Sequence, residues 1–131
     1  MSLLEALIEY CVRKGLLIGD GEDSFRDFMP DAPDNVVVFY EYSGNALSPY
    51  IDAVHRSVQV KVRNKNAEGA RDKALQLCRA FYTQKETLRI DFTDTIWGQV
   101  YVRQPPFKLL QDESDRVTYC FNLGITTNIL E

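Results

Sequence analysis

The chain has one histidine and three cysteines in 131 residues, and neither type is arranged for chemistry. Cys11, Cys78 and Cys120 are odd in number, widely spaced and outside any CxxC pair, and His55 cannot complete a zinc set with them. They are expected to be reduced and buried, packing as small hydrophobes in a cytosol-made protein. No apolar run approaches the roughly 20 residues needed to cross a bilayer. Glu5 and Glu9 stand where a secretory signal would be positive, so no signal peptide is expected. Gly15, Gly19 and Gly21 lack the strand-then-helix context and the lysine of a phosphate-binding loop. There is no GxSxG and no poised cysteine. His55, with Asp52 three residues before it, therefore has no nucleophile to serve and reads as a surface or strand-edge histidine.

Two acidic groupings fall short of a metal site. Counted from Asp20, an EF-hand loop would need glycine at its sixth position and glutamate at its twelfth, but Phe25 and Asp31 stand there. Asp91 and Asp94 would point to opposite faces of a strand, and in a turn aspartate serves the backbone anyway. No catalytic, metal or cofactor residue is nominated, and no enzyme activity is expected.

What the chain does have is an ordinary soluble composition, 45% hydrophobic and 26% charged, in a length suited to one domain. The net charge of −4 is unevenly spread. Residues 20–55 hold eight acids against Arg26, whereas residues 56–90 hold nine bases against three acids. An acidic block followed by a basic block suits a charged partner, or copies of the chain that complement one another.

Ser2 and Glu5 form a capping box before Leu4, Leu7, Ile8, Cys11 and Val12, which recur at helical spacing. With Gly15 at the C′ position this predicts a helix over 3–14. Residues 19–35, GDGEDSFRDFMPDAPDN, read as a flexible acidic loop. The β-branched and aromatic run 36–42 reads as a central strand, paired across a dozen-residue excursion with the alternating Val58, Val60 and Val62. Asn66 caps a second helix over 67–84, with Ala70, Ala74, Leu77, Cys78 and Phe81 inward. Residues 97–103 read as a strand ended by Pro105-Pro106, and 107–110 and 116–125 as a hairpin. The whole is expected to be a single α+β domain, 1–131, with a mainly antiparallel sheet of four to five strands and two helices packed on it.

The stretch SVQVKVRNKN places Lys61, Arg63 and Lys65 in series, with Arg71 and Lys73 following on the helix. As a nucleic-acid grip the row is poor: it lacks interleaved aromatics, the chain is acidic overall, and three phosphate contacts would give a salt slope of only about −2.7. Specific nucleic-acid binding is not expected. The same residues could instead face acidic surface, including Asp20, Glu22 and Asp23, on a neighbouring copy in a head-to-tail ring. A solvated strand face is the plain alternative.

Four stretches in order resemble the tail-terminator and minor capsid proteins of long-tailed bacteriophages: LLEALIEYCVRKGL, MPDAPDNVVVFYEY, SVQVKVRNKNAEGARDKALQL, and the ending from QPPF through YCFNL. The resemblance implies a virion structural protein, made in the host cytoplasm. It implies a homo-oligomeric ring, usually a hexamer, on the head-proximal end of the tail tube. There the ring stops tube polymerisation and offers a face to the head connector, with the tail tube protein and the connector as partners and no membrane, cofactor or catalysis. A head-completion or connector protein is the alternative within the same class, and a small nucleic-acid-binding domain the alternative outside it.

Overall fold

A computed structural model describes residues 1–42, 53–84 and 86–129. Helix α1 spans Leu3–Arg13 and opens as expected: the Ser2 hydroxyl accepts from the Glu5 amide at 3.2 Å and donates to the Glu5 carboxylate at 3.2 Å. It closes on Gly15 at φ 75°, where the Leu16 amide reaches the Cys11 carbonyl and the Gly15 amide that of Val12, each at 2.9 Å. This pair of bonds satisfies two orphan carbonyls and needs a residue that tolerates positive φ.

The strands are β1 (Ser24–Arg26), β2 (Val36–Tyr42), β3 (Val54–Asn64), β4 (Leu88–Asp91), β5 (Trp97–Gln111) and β6 (Val117–Thr127), in one curled sheet ordered β1-β2-β3-β6-β5-β4. Helix α2 (Ala67–Phe81) leaves β3 and leads to β4 at the far edge. The Asn66 side chain caps it by accepting from the amides of Glu68 at 2.8 Å and Gly69 at 3.2 Å. It ends three residues before the expected 84, because Tyr82 turns extended at φ −94°, ψ 141°.

The α+β class holds, with two corrections. The sheet has six strands rather than four to five, and β1 pairs with β2 in parallel. Strand β1 lies inside the stretch expected to be a loop, where Phe25 is its one apolar residue, and β4 is only four residues long; neither is long enough for alternation to show. Conversely, Pro105 and Pro106 do not end a strand. Strand β5 runs through them to Gln111, with irregularities between Val102 and Gln104, Gln104 and Phe107, and Lys108 and Leu110. β4 pairs only with Trp97–Val100, so the prolines stand where no outer strand needs their missing N–H. The expected antiparallel pairing of β2 with β3 is present, while most of the excursion between them lies outside the described residues.

Both helices pack on one face of the sheet. Leu3, Leu7 and Cys11 of α1 and Ala74, Leu77 and Phe81 of α2 meet Val37, Phe39, Val58, Val60, Val62, Phe121, Leu123 and Ile125. Tyr10 joins the helices, its ring 5.3 Å from that of Phe81 and its hydroxyl donating to the Ala80 carbonyl at 2.7 Å. Phe121 is fully enclosed at the centre, paired with Val60. Phe121→Ala should lower unfolding free energy by about 3–5 kcal/mol, read from denaturant titration with an unchanged m-value.

All three cysteines are free and buried. Burial pushes the Cys11 thiol up to about 12 and raises Cys78 and Cys120 as well. A raised thiol pKa means almost no thiolate at pH 8. A disulfide reagent should therefore modify none of the three in the native protein at that pH, and all three once it is denatured.

Candidate interface residues

The row read from SVQVKVRNKN is not one surface. Lys61 and Arg63 alternate with Val60 and Val62, so they belong to the sheet face away from the helices, and Lys65 follows just past the end of β3. Lys61 is half-buried, its ammonium 4.7 Å from the centre of the Tyr40 ring. Lys65 is exposed; its amide donates to the Asn35 side chain at 3.1 Å and its ammonium lies 3.4 Å from the Asp34 carboxylate. Arg63, however, is only 5% exposed. Its Nε donates to the Asp34 carbonyl at 3.0 Å and its terminal nitrogen to the carbonyls of Pro33 at 2.7 Å and Asp31 at 3.4 Å.

Arg116, at the mouth of β6, meets the same segment. It donates to the Asp31 carbonyl at 2.6 Å and to the Asp112 carboxylate at 2.7 Å. Burial, and then the neighbouring Arg116, hold the Arg63 pKa below the ordinary arginine value. The Arg116 value is raised, chiefly by its bond to Asp112. Two guanidiniums therefore pin residues 31–34, which return from β1 to the start of β2 so that the two strands can run parallel. Arg63, a candidate for contact with a neighbouring copy with a solvated face as the alternative, is instead buried, and its fork supplies the donors that turn carbonyls need once they leave water.

The remaining candidates divide in the same way. Lys73 is half-buried, its ammonium on the Leu16 carbonyl, while Arg71 is exposed on α2. Asp23 accepts from the amides of Ile18 at 3.0 Å and Gly19 at 3.2 Å, so it builds the turn into β1. Asp20 pairs with Arg26 at 2.8 Å, and Arg26 reaches Glu5 of α1 at 3.0 Å. Glu22 is exposed. The acidic stretch is thus anchored to α1 and β2 rather than loose.

A polar cluster that the sequence reading did not assemble lies on the helix-free face. Arg103 donates to His55 Nε2 at 2.9 Å, to the Tyr101 hydroxyl at 3.1 Å and to the Ser57 hydroxyl at 3.2 Å. The Tyr101 ring stacks on His55 at 5.9 Å. Burial, then the Arg103 charge, lower the His55 pKa, so at neutral pH Nε2 accepts and the proton sits on Nδ1, facing Thr126 at 3.4 Å. Gly124 of β6 lies between Ser57 and Tyr101, and a Cβ there would sit 2.3 Å from the Tyr101 ring. The missing side chain lets Tyr101 cross β6 and join β5 to β3. With Ser57 held by Arg103 and His55 stacked, the cluster is a clasp. Asp52, the expected orienting acid, lies outside the described residues. Asp91 pairs with Arg89 at 3.2 Å. Among the described residues no three His, Cys, Asp or Glu side chains converge as a metal site, and no helix is long and apolar enough to cross a membrane.

The arrangement offers surfaces, and a comparison with known families says of what kind. A family model described as bacteriophage tail terminator protein matches residues 14–129. The chain belongs to the bacteriophage tail terminator family. It is a phage tail structural protein, and so a virion component that works among other tail components. No curated protein matches it. The stretch matched takes in every strand and the arginine pins, so what was read as structural support lies within the family's shared extent.

Replacing Arg63 with alanine would leave the carbonyls of Pro33 and Asp34 without their donor. It should cost about 2–3 kcal/mol of stability, whereas Lys65→Ala should stay within about 0.5 kcal/mol. Chemical denaturation of both variants measures the contrast.

Proposed function

We propose that this tail terminator acts as a ring, hexameric in the usual arrangement of its kind, seated on the head-proximal end of the tail tube. There it stops addition of tube subunits and presents the face that the head connector meets. The observation that carries the reading is the family match across residues 14–129. Two features of the molecule support it. The polar side chains that could be mistaken for chemistry, His55, Ser57 and Arg63, hold strands and turns in place. Of the charges first considered for contact, Arg63, Lys73, Asp20 and Asp23 are held within the protomer and Lys65 pairs with Asp34 at the surface, while Arg71 and Glu22 stay exposed. Lys65 and Arg71 flank the start of α2 and form a basic rim for an acidic surface of the tube or connector; Lys61 leans on Tyr40 on the helix-free face and is no part of that rim.

Purified chain added to polymerising tail tube protein should shorten the tubes in proportion to its amount and appear as a ring at one end by electron microscopy. Lys65→Glu together with Arg71→Glu should weaken capping without changing thermal stability. Unlimited tube growth, with capture of the chain by the portal or its adaptor alone, would transfer it to the connector role.

A further inference from the structure

Among the described residues the sheet ends in two unlike borders, and they lie at one level. At one border is β1; at the other, beyond the short cover of β4, is the length of β5 from Tyr101 to Gln111, which pairs with no outer strand among the described residues. Register connects them directly. Phe25 pairs with Val38, Val38 with Lys61, Lys61 with Cys120 and Cys120 with Phe107, one row across the sheet from border to border. Following the pairings, β1 and β5 run in opposite directions, so β1 of a second copy set against β5 would make an antiparallel neighbour.

The two borders complement each other in chemistry. The free β5 length carries Arg103 and Lys108 and no acid, with Leu109 and Leu110 exposed at 38% and 47%. The β1 border carries Asp20, Glu22, Asp23 and Asp27 against Arg26, with Ile18 and Phe28 exposed at 71% and 57%. Among the described residues Lys108 and Glu22 are exposed charges with no partner in the protomer. On β1 the Ser24 carbonyl already accepts from the Gly21 amide at 2.7 Å and Ser24 is buried, so a neighbour would meet this acidic and apolar border through side chains, as the exposed leucines and Lys108 of β5 allow.

We propose that the free border of β5 in one copy docks against β1 of the next, head to tail, with Lys108 facing Glu22 and Leu110 facing Ile18, which the Asp23 carboxylate holds at the same level of the sheet. The contact rests on the ring reading only in requiring copies to associate. It is heterologous, each copy using one border to give and the other to receive, as ring closure demands.

Cysteine cross-linking of the full chain tests it. Glu22→Cys and Lys108→Cys variants should each stay uncross-linked alone under mild oxidation and form a disulfide-linked pair when mixed. The double variant should give a covalent ladder that stops at the ring size. The native cysteines are buried and do not compete. Absence of the mixed disulfide overturns this contact. If the wild-type chain still forms rings by native mass spectrometry, only the contact fails and the ring reading stands. If the wild-type chain associates neither alone nor on tail tubes, both fall.

Discussion

The pairing of β3 with β6 constrains everything else in the molecule. It runs through eleven consecutive residue pairs, from Val54 with Thr127 to Asn64 with Val117, without a bulge. Because side chains alternate, that register decides at once which residues meet the helices and which do not. Val58, Val60 and Val62 align with Leu123, Phe121 and Tyr119 on the helix side; Ser57, Gln59, Lys61 and Arg63 align with Gly124, Asn122, Cys120 and Thr118 on the other. A slip of one residue would bring Lys61 and Arg63 under α1 and α2 and expel the valines. Burying unpaired cations against apolar side chains is costly enough to exclude that alternative.

From the register the rest follows in sequence. Arg63 is placed on the helix-free face level with the entrance to β6, where Arg116 stands. Between them the two guanidiniums collect the carbonyls of residues 31–34. That fixes the return that lets β1 run parallel to β2, and hence what stands at that border. At the other end of the same face, Gly124 admits Tyr101 and so ties β5 to His55 of β3. The helix-free face is therefore knitted by polar side chains where the opposite face is held by apolar packing. The knitting is what fixes the borders in space.

What the sequence made legible was local or periodic. Both helix caps, the left-handed glycine after α1, the inward valines of β3 and the long alternation of β6 depend on neighbours in the chain or on period two, and each stands where it was read. What escaped depends on distant segments. Period two tells which side Arg63 faces, but not that residues 31–34 come to cover it. Proline at 105 and 106 says that a donor is missing, but not that β4 stops short and leaves none required. Strands of three and four residues carry too little pattern to be seen. One signal was present and unused: a glycine at 124 inside a strongly alternating strand marks a close approach by another group, here the Tyr101 ring.

In a family defined by assembly, a charge on the surface matters only after the charges used internally have been removed from consideration. The basic block at 56–90 loses Arg63 and Lys73 to carbonyls, and the acidic block loses Asp20 and Asp23 to Arg26 and the backbone. Blocks of sequence charge are thus poor guides to a contact, whereas the few charges left unspent at the borders are informative. Those borders differ from each other, one acidic and one basic, and unlike borders cannot meet by a two-fold axis through the same patch. Repeated contact between them leads either to a closed ring or to an open filament, according to the rotation from one copy to the next. A sheet that already curls within the protomer supplies rotation of a constant sense. On the proposed reading, that curl is the property that turns a sticky strand border, which in a flat sheet would continue indefinitely, into an assembly that ends.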